Sequence, residues 1–433
     1  MISTRCSCVV NDVPKSVINT VQTSKASGKQ TAQAITQFST APLFFLIAAF
    51  LMLQPLSTDL YLASLPSLAA VFDVPASTVQ LTLSIFVAGF GGAQLIIGPL
   101  SDRFGRRPVV ITGLSLYLLA SLLCAASQSM GMLIIARFLQ ALGCCSAVII
   151  ARAIVRDAYD PQDSIKVISK ASSWVSAAPL LGPILGSFLQ VNLGWRAAFF
   201  VHALLAAALL IMVILRLPET NLYKDAKATN VSGLLRNYRI VLGAPVFWVY
   251  ALPGALSYGS IFVFISGASF VLIKVLLLPT AWFGYCFAFG VSGYLSGTVV
   301  CRRLHARFGT KITMRIGSSL SLAAGATFLA MTLAGVQHWT MIPPIMFMTM
   351  GAHGINFPIS QSNSVSPFPQ QAGTAAGLMG ALYMVVAFIV GSIVGATHNG
   401  TVYPLAIIAC SMGSLIFIAA RVLPALIPAE QPV

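Results

Sequence analysis

One aspartate stands where a carboxylate is expensive. Asp59 lies in Gln54-Pro55-Leu56-Ser57-Thr58-Asp59-Leu60-Tyr61-Leu62, and it is the only acidic residue deep in any long apolar run of the chain. An ionisable group in hydrocarbon is costly and marks a functional position by default. Burial favours the neutral form of a carboxyl group and a nearby cation favours the charged form, so such a group can change protonation as its surroundings change. A purely structural, hydrogen-bonded aspartate is the plainer alternative. Arg137, in Arg137-Phe138-Leu139-Gln140-Ala141-Leu142-Gly143, is the only basic residue well inside a run. Asp59 precedes Pro66 by seven residues and Arg137 follows Met130 by seven. At the rise of an α-helix both lie about 10 Å below the same membrane face. That matched depth predicts an ion pair or a proton-coupled exchange, with Gln140 one turn further on completing the network. An arginine bonded to helix carbonyls is the structural alternative.

A second cluster sits between two apolar runs: Gly98-Pro99-Leu100-Ser101-Asp102-Arg103-Phe104-Gly105-Arg106-Arg107. Gly98 and Pro99 end a helix and let the chain turn. Asp102 can accept hydrogen bonds from helix N-terminal amides or pair with an arginine. Arg103, Arg106 and Arg107 can clamp a neighbouring helix end or an anionic lipid. The composition predicts a gate-locking hinge rather than a mere positive anchor. A shorter echo, Arg307-Phe308-Gly309-Thr310-Lys311, follows 204 positions later, with Ala306 in place of the aspartate. The second lock should therefore be the weaker. A third motif, Ala178-Pro179-Leu180-Leu181-Gly182-Pro183-Ile184-Leu185-Gly186, combines prolines that kink a helix with small residues that present a flat surface. Pro179, Gly182, Pro183 and Gly186 are expected to pack tightly and seal the path against leaks, a generic kink being the alternative.

Tyr61, Tyr258 and Asn356 join Asp59 as candidates to face a substrate. Trp174, Phe262, Phe264 and the methionines 346, 348 and 350 could line a cavity, although lipid-facing or core packing is the plainer reading of each. Snorkelling and capping account for Arg152, Arg156 and Asp157. The eight cysteines show no zinc spacing and the five histidines no paired spacing. No metal site, nucleophile elbow or phosphate loop is present. ATP therefore does not drive uphill movement within this chain, and an ion gradient remains, with no cofactor expected beyond it.

The elements that must position these residues are membrane helices. The chain has 433 residues, 57% hydrophobic and 8% charged, with a mean hydropathy of +0.88. Soluble domains carry about 25% charge. A span needs about 20 apolar residues, and twelve stretches qualify: 42–68, 77–99, 108–127, 130–154, 165–189, 196–217, 245–273, 279–301, 312–335, 340–361, 373–396 and 402–424. All but three of the 25 Lys and Arg residues fall in the N-terminal tail, the C-terminal end and the loops after even-numbered spans. Cytoplasmic loops collect such residues, so both termini are expected in the cytoplasm. The net charge of +15 reports topology, not nucleic-acid binding. Residues 1–41 hold no apolar core of a signal peptide and read as a disordered cytoplasmic tail. The polar stretch 218–244 divides the spans into halves of six, over 42–217 and 245–424, with 425–433 a short tail. Two pseudo-symmetric halves related by an axis along the membrane normal fit the 204-residue offset.

With these residues in place, the chain after residue 41 resembles the major facilitator superfamily. The Gly98–Arg107 loop is similar to its signature between the second and third helices. Arg137, Gln140 and Gly143 resemble its fourth-helix motif associated with proton coupling. Gly182-Pro183 and Gly186 resemble its fifth-helix antiporter motif, with Ser187 where many members have a second glycine. Thr58-Asp59-Leu60-Tyr61-Leu62, then Pro66, is similar to the first-helix signature of the bicyclomycin-resistance and chloramphenicol-efflux branch, Ala63 replacing a frequent proline. Arg152–Asp157, Gly194–Ala197, Leu217–Thr220 and Ala372–Ala375 also resemble that branch. The resemblance implies a drug/proton antiporter in which Asp59 handles protons and cationic substrates and Arg137 tunes it.

The expectation is an all-α membrane protein with twelve transmembrane helices, an exporter of the bacterial inner membrane that works as a monomer by alternating access. Its partners are an amphipathic or cationic drug or metabolite, protons and membrane lipids. A proton-coupled transporter of a sugar or organic acid is the alternative. A transporter-derived sensor is more distant, because no domain is present to relay a signal.

Overall fold

A computed structural model of the protein describes residues 40–159, 167, 170–171, 174–175 and 177–426. The predicted tails, apart from residues 40–41 and 425–426, and much of the first half of the predicted fifth span lie outside these residues. The described secondary structure is helical throughout. In chain order it comprises α1 (Thr40–Asp59), α2 (Leu65–Val71), α3 (Ala76–Phe104), α4 (Arg106–Ala125), α5 (Met130–Ala158), α6 (Ala177–Leu193) and α7 (Arg196–Arg216). There follow α8 (Val231–Leu242), α9 (Pro245–Phe270), α10 (Thr280–Leu333), α11 (Ile342–Val365), α12 (Ala372–Thr397) and α13 (Tyr403–Val422).

Local chemistry sets the helix ends. The Ser129 hydroxyl accepts from the Met132 amide at 3.3 Å and opens α5, and the Asn230 side chain accepts from the Ser232 amide at 3.1 Å and opens α8. Pro245 opens α9, where its missing N–H has no helical partner to lose. Pro55 stands inside α1 and frees a carbonyl one turn upstream. Gly105 turns the chain between α3 and α4 at φ 106°, and Gly309 breaks α10 at φ 71°. Only glycine takes such angles without strain. The two glycines are separated by the same 204 positions as the basic loops around them.

Nine helices among the described residues are long and apolar enough to cross a membrane. The predicted count of twelve differs for identifiable reasons. The 54-residue α10 counts once although Gly309 breaks it, and α6 is short at 17 residues. His353, Asn356, Ser360 and Asn363 dilute the apolar character of α11. One further difference falls in 218–244, read as a polar loop. It contains α8, a 12-residue helix with apolar and charged faces, whose Tyr238 hydroxyl donates to the Leu95 carbonyl at 3.1 Å.

Two seams join helices of the first and second halves of the chain. Along one, α3 packs on α12, with Gly91 against Met384 and Gly380 against Gln94. Along the other, Gly284 of α10 meets the backbone of Pro183 and Ile184 in α6. Small residues at such seams let backbones approach, which is how helices associate where lipid removes the hydrophobic drive. Gln80 of α3 also donates to the Ser266 carbonyl of α9 at 3.1 Å. At the face that carries Gly105 the halves diverge around a cavity of about 740 Å³.

Candidate functional site

Asp59 is the last residue of α1. Beyond it the chain makes a short 3₁₀ turn over Leu62–Ser64 before α2 resumes. The carboxylate is 4% exposed, the only buried acidic residue among those described. Its Oδ1 accepts from the Thr58 hydroxyl at 2.9 Å. A side chain on Gly182 would start 3.2 Å from the Asp59 Cβ, so α6 presses directly on this position. From α9, Tyr258 reaches the neighbourhood of the Gln54 side chain and of Asp59, close enough to interact electrostatically with both. The acid thus sits where helices of both chain halves meet.

Arg137 is fully buried but does not pair with Asp59. Its Nη1 donates to the Ser57 carbonyl at 3.1 Å and to Gln140 Oε1 at 2.5 Å. Rings of Phe86 at 4.4 Å, Tyr61 at 4.9 Å and Phe199 at 5.8 Å enclose the guanidinium. Gln140 passes the network on by donating to the Ser121 hydroxyl at 2.8 Å. The ion pair expected from matched depth fails for a geometric reason. Residues two apart on a helix point about 200° from each other, so the turn of α1 that offers Ser57 to Arg137 turns Asp59 toward α6 and α9.

Tyr61 belongs to the arginine's surroundings: its hydroxyl bonds Thr82 and its ring also packs on Phe199 at 5.3 Å. Asn356 is buried with its Oδ1 against Gly317 of α10, within the second half of the chain. Of the four substrate-facing candidates, the structure brings together Asp59 and Tyr258. Tyr258 in turn stacks on Tyr383 at 6.0 Å and lies 6.1 Å from His353, whose ring nitrogen bonds the Ser257 hydroxyl at 3.0 Å. His353 escaped the sequence reading because no second histidine is spaced with it; its position on polar α11 was the available signal.

The basic loop forms a denser network than its sequence suggests. Arg106 pairs with Asp102 at 2.6 Å and with Asp157 at 2.9 Å, and also donates to the Ser101 hydroxyl at 2.6 Å. Asp102 does not cap α4. Glu219 does: its carboxylate accepts the amides of Arg106 at 2.8 Å and Arg107 at 3.2 Å. Arg107 also donates to the Ile214 carbonyl at 2.9 Å, and Arg103 to Thr229 at 2.6 Å. The Asp225 amide and the Asn221 side chain donate to the Asp102 carbonyl at 3.1 and 3.0 Å. The segment after α7 is therefore strapped across the turn at Gly105. Gly98 lies in open space inside α3, which runs on to Phe104 rather than ending at Gly98-Pro99. In the echo, Arg307 lies over Phe308 at 5.2 Å, as Arg103 does over Phe104. With Ala306 there, the Asp102–Arg106 pair has no counterpart.

The proline-glycine motif lies in α6 between both halves. Gly182 faces Asp59, and Gly186 approaches the Leu60 carbonyl so closely that any Cβ would overlap it. Pro183 faces Gly284, while Pro179 is half-buried in the first turn.

Apolar helices in two groups around a buried acid, with a charged strap at one face, define a multi-pass membrane transport protein. The chain belongs to the Major Facilitator Superfamily, whose sequence pattern matches residues 45–392. It is 28% identical over 357 residues to a bicyclomycin resistance protein homolog of Haemophilus influenzae, covering 82% of this chain and 89% of that protein. It is likewise 28% identical over 389 residues to multidrug resistance protein MdtL of Escherichia coli, covering 86% and 94%. The fold matches the partially occluded inward-open conformation of the xylose transporter XylE from E. coli, with a TM-score of 0.68 at 16% identity, over 91% of this chain and all of that one. Membership makes the protein a transporter of small molecules rather than an enzyme.

Proposed function

We propose that the protein is a proton-coupled exporter of amphipathic or cationic drugs or metabolites, working as a monomer in the bacterial inner membrane with both termini in the cytoplasm. Twelve crossings in two six-helix halves would alternate access to a central site. The observation that carries this reading is the placement of Asp59, the one buried acid among the described residues, against α6 of its own half and near Tyr258 of the other. A carboxylate at that junction can hold a proton or a substrate cation, and the rearrangement of either half changes its solvation. Arg137 and Gln140 hold the backbone at Ser57 and so fix where α1 presents the acid. The strap over Asp102, Arg103, Gly105, Arg106 and Arg107 would lock the face it crosses, and Pro179 through Gly186 would limit leak. The likeness to proteins named for bicyclomycin and multidrug resistance supports export. No cofactor enters this scheme; the proton gradient supplies the energy.

A susceptibility panel in an efflux-deficient bacterial host tests the reading. Cells expressing the wild type should tolerate several amphipathic cationic drugs better than cells carrying Asp59→Asn, with equal amounts of both proteins in the membrane. Intracellular drug should rise when an uncoupler collapses the gradient. Equal tolerance with the two proteins, or uptake that falls with the uncoupler as an importer requires, would overturn it.

A further inference from the structure

The cavity beside the strap contains a charge that the gate does not use. Its lining carries six formal charges: Asp102, Arg106, Arg152, Arg156, Asp157 and Asp225. Arg106 is neutralised by Asp102 and Asp157, and Arg156 lies 3.8 Å from each of the same two acids. Asp225 accepts the Lys227 amide at 2.8 Å. Arg152 alone has no hydrogen bond or ion pair among the described residues. It does not snorkel toward lipid headgroups, because it lines a cavity between the two halves of the chain. Around that cavity stand Gln94 of α3, Asn237 and Tyr238 of α8, and Gln371 and Thr374 at the start of α12.

We infer that Arg152 anchors a second ligand subsite, one that takes a carboxylate on a small polar or amphipathic molecule. A guanidinium without a partner keeps its full fork of donors available, and that fork matches the two oxygens of a carboxylate. Arg152 is exposed to the cavity rather than packed away, so those donors are within reach of a ligand anion. The neighbouring amides and phenol add uncharged hydrogen bonds without competing for the charge. Arg152 stands 15 residues beyond Arg137 on α5, a separation of about 22 Å along the helix. The subsite is therefore distinct from the region of Asp59. It rests on the chain being a transporter and requires neither proton coupling nor export.

Dansylglycine and its methyl ester, which differ only in the carboxylate charge, serve as probes. Binding to the full-length protein in phosphatidylcholine nanodiscs is followed by fluorescence anisotropy. The wild type should prefer the acid over the ester by about tenfold or more, the worth of one charge-assisted hydrogen-bonded pair. Arg152→Gln should abolish that preference while leaving ester binding intact, which also shows that the variant is folded. Arg156→Gln, which removes a charge already paired, should keep the preference. If Arg152→Gln does not fold, Arg152→Lys should retain only part of the preference, because ammonium lacks the planar fork. Equal binding of acid and ester by the wild type, or a preference that survives loss of the guanidinium, would overturn the assignment. Because the readout is equilibrium binding, the result stands apart from the susceptibility panel.

Discussion

Asp59 and Arg137 were legible as special residues because charge inside an apolar run is rare and costly. Their relation was not legible. Depth along two helices can be counted from sequence, but the direction of a side chain depends on helix phase and on where α1 ends. The structure ends α1 at Asp59 and gives Arg137 the Ser57 carbonyl instead of the carboxylate. Arg137 thus acts as a positioning residue. Its guanidinium is held by two hydrogen bonds and by rings of Phe86, Tyr61 and Phe199, a setting an ammonium cannot reproduce. Arg137→Lys is expected to lower the transport rate by about tenfold or more, as the loss of a buried charge-assisted hydrogen bond implies. Initial rates in vesicles with matched protein amounts measure this, and a rate equal to wild type would contradict the positioning role.

At the scale of elements, the apolar stretches, the proline-glycine motif and the basic turn were all readable from composition and punctuation. What the sequence concealed was the strap. Glu219 lies 113 residues from Arg106, and no local pattern links a loop acid to a distant helix start. A carboxylate over two free amides answers both the unsatisfied N–H groups and the positive end of the helix dipole. Helix α8 was hidden for a related reason, since its charged face lowers the average hydropathy of 218–244 below that of a span. Glu219→Ala should destabilise the turn by about 1 kcal/mol and free the segment after α7. Limited proteolysis of the purified protein should then cut within 218–230 faster than in the wild type, with the helices still intact by circular dichroism. An unchanged cutting rate would show that the strap is held without Glu219.

At the scale of the whole molecule, the 204-residue offset was the most productive sequence signal. It joins two basic loops in sequence and two left-handed glycines, Gly105 and Gly309, in structure. The same comparison shows specialisation: Ala306 stands at the place of Asp102, and among the described residues the one buried acid lies in the first half. The seams at Gly91–Met384 and Pro183–Gly284 depend on pairings between distant helices, which one sequence does not reveal. An asymmetric engine within a quasi-symmetric frame is the account's central claim, and it places coupling at Asp59. The direct measurement uses proteoliposomes with a trapped pH dye and a drug to which the susceptibility panel shows resistance. Adding the drug should drive protons in the opposite direction with the wild type, and Asp59→Asn should show no drug-dependent proton movement. Proton movement of wild-type size in Asp59→Asn would contradict the account.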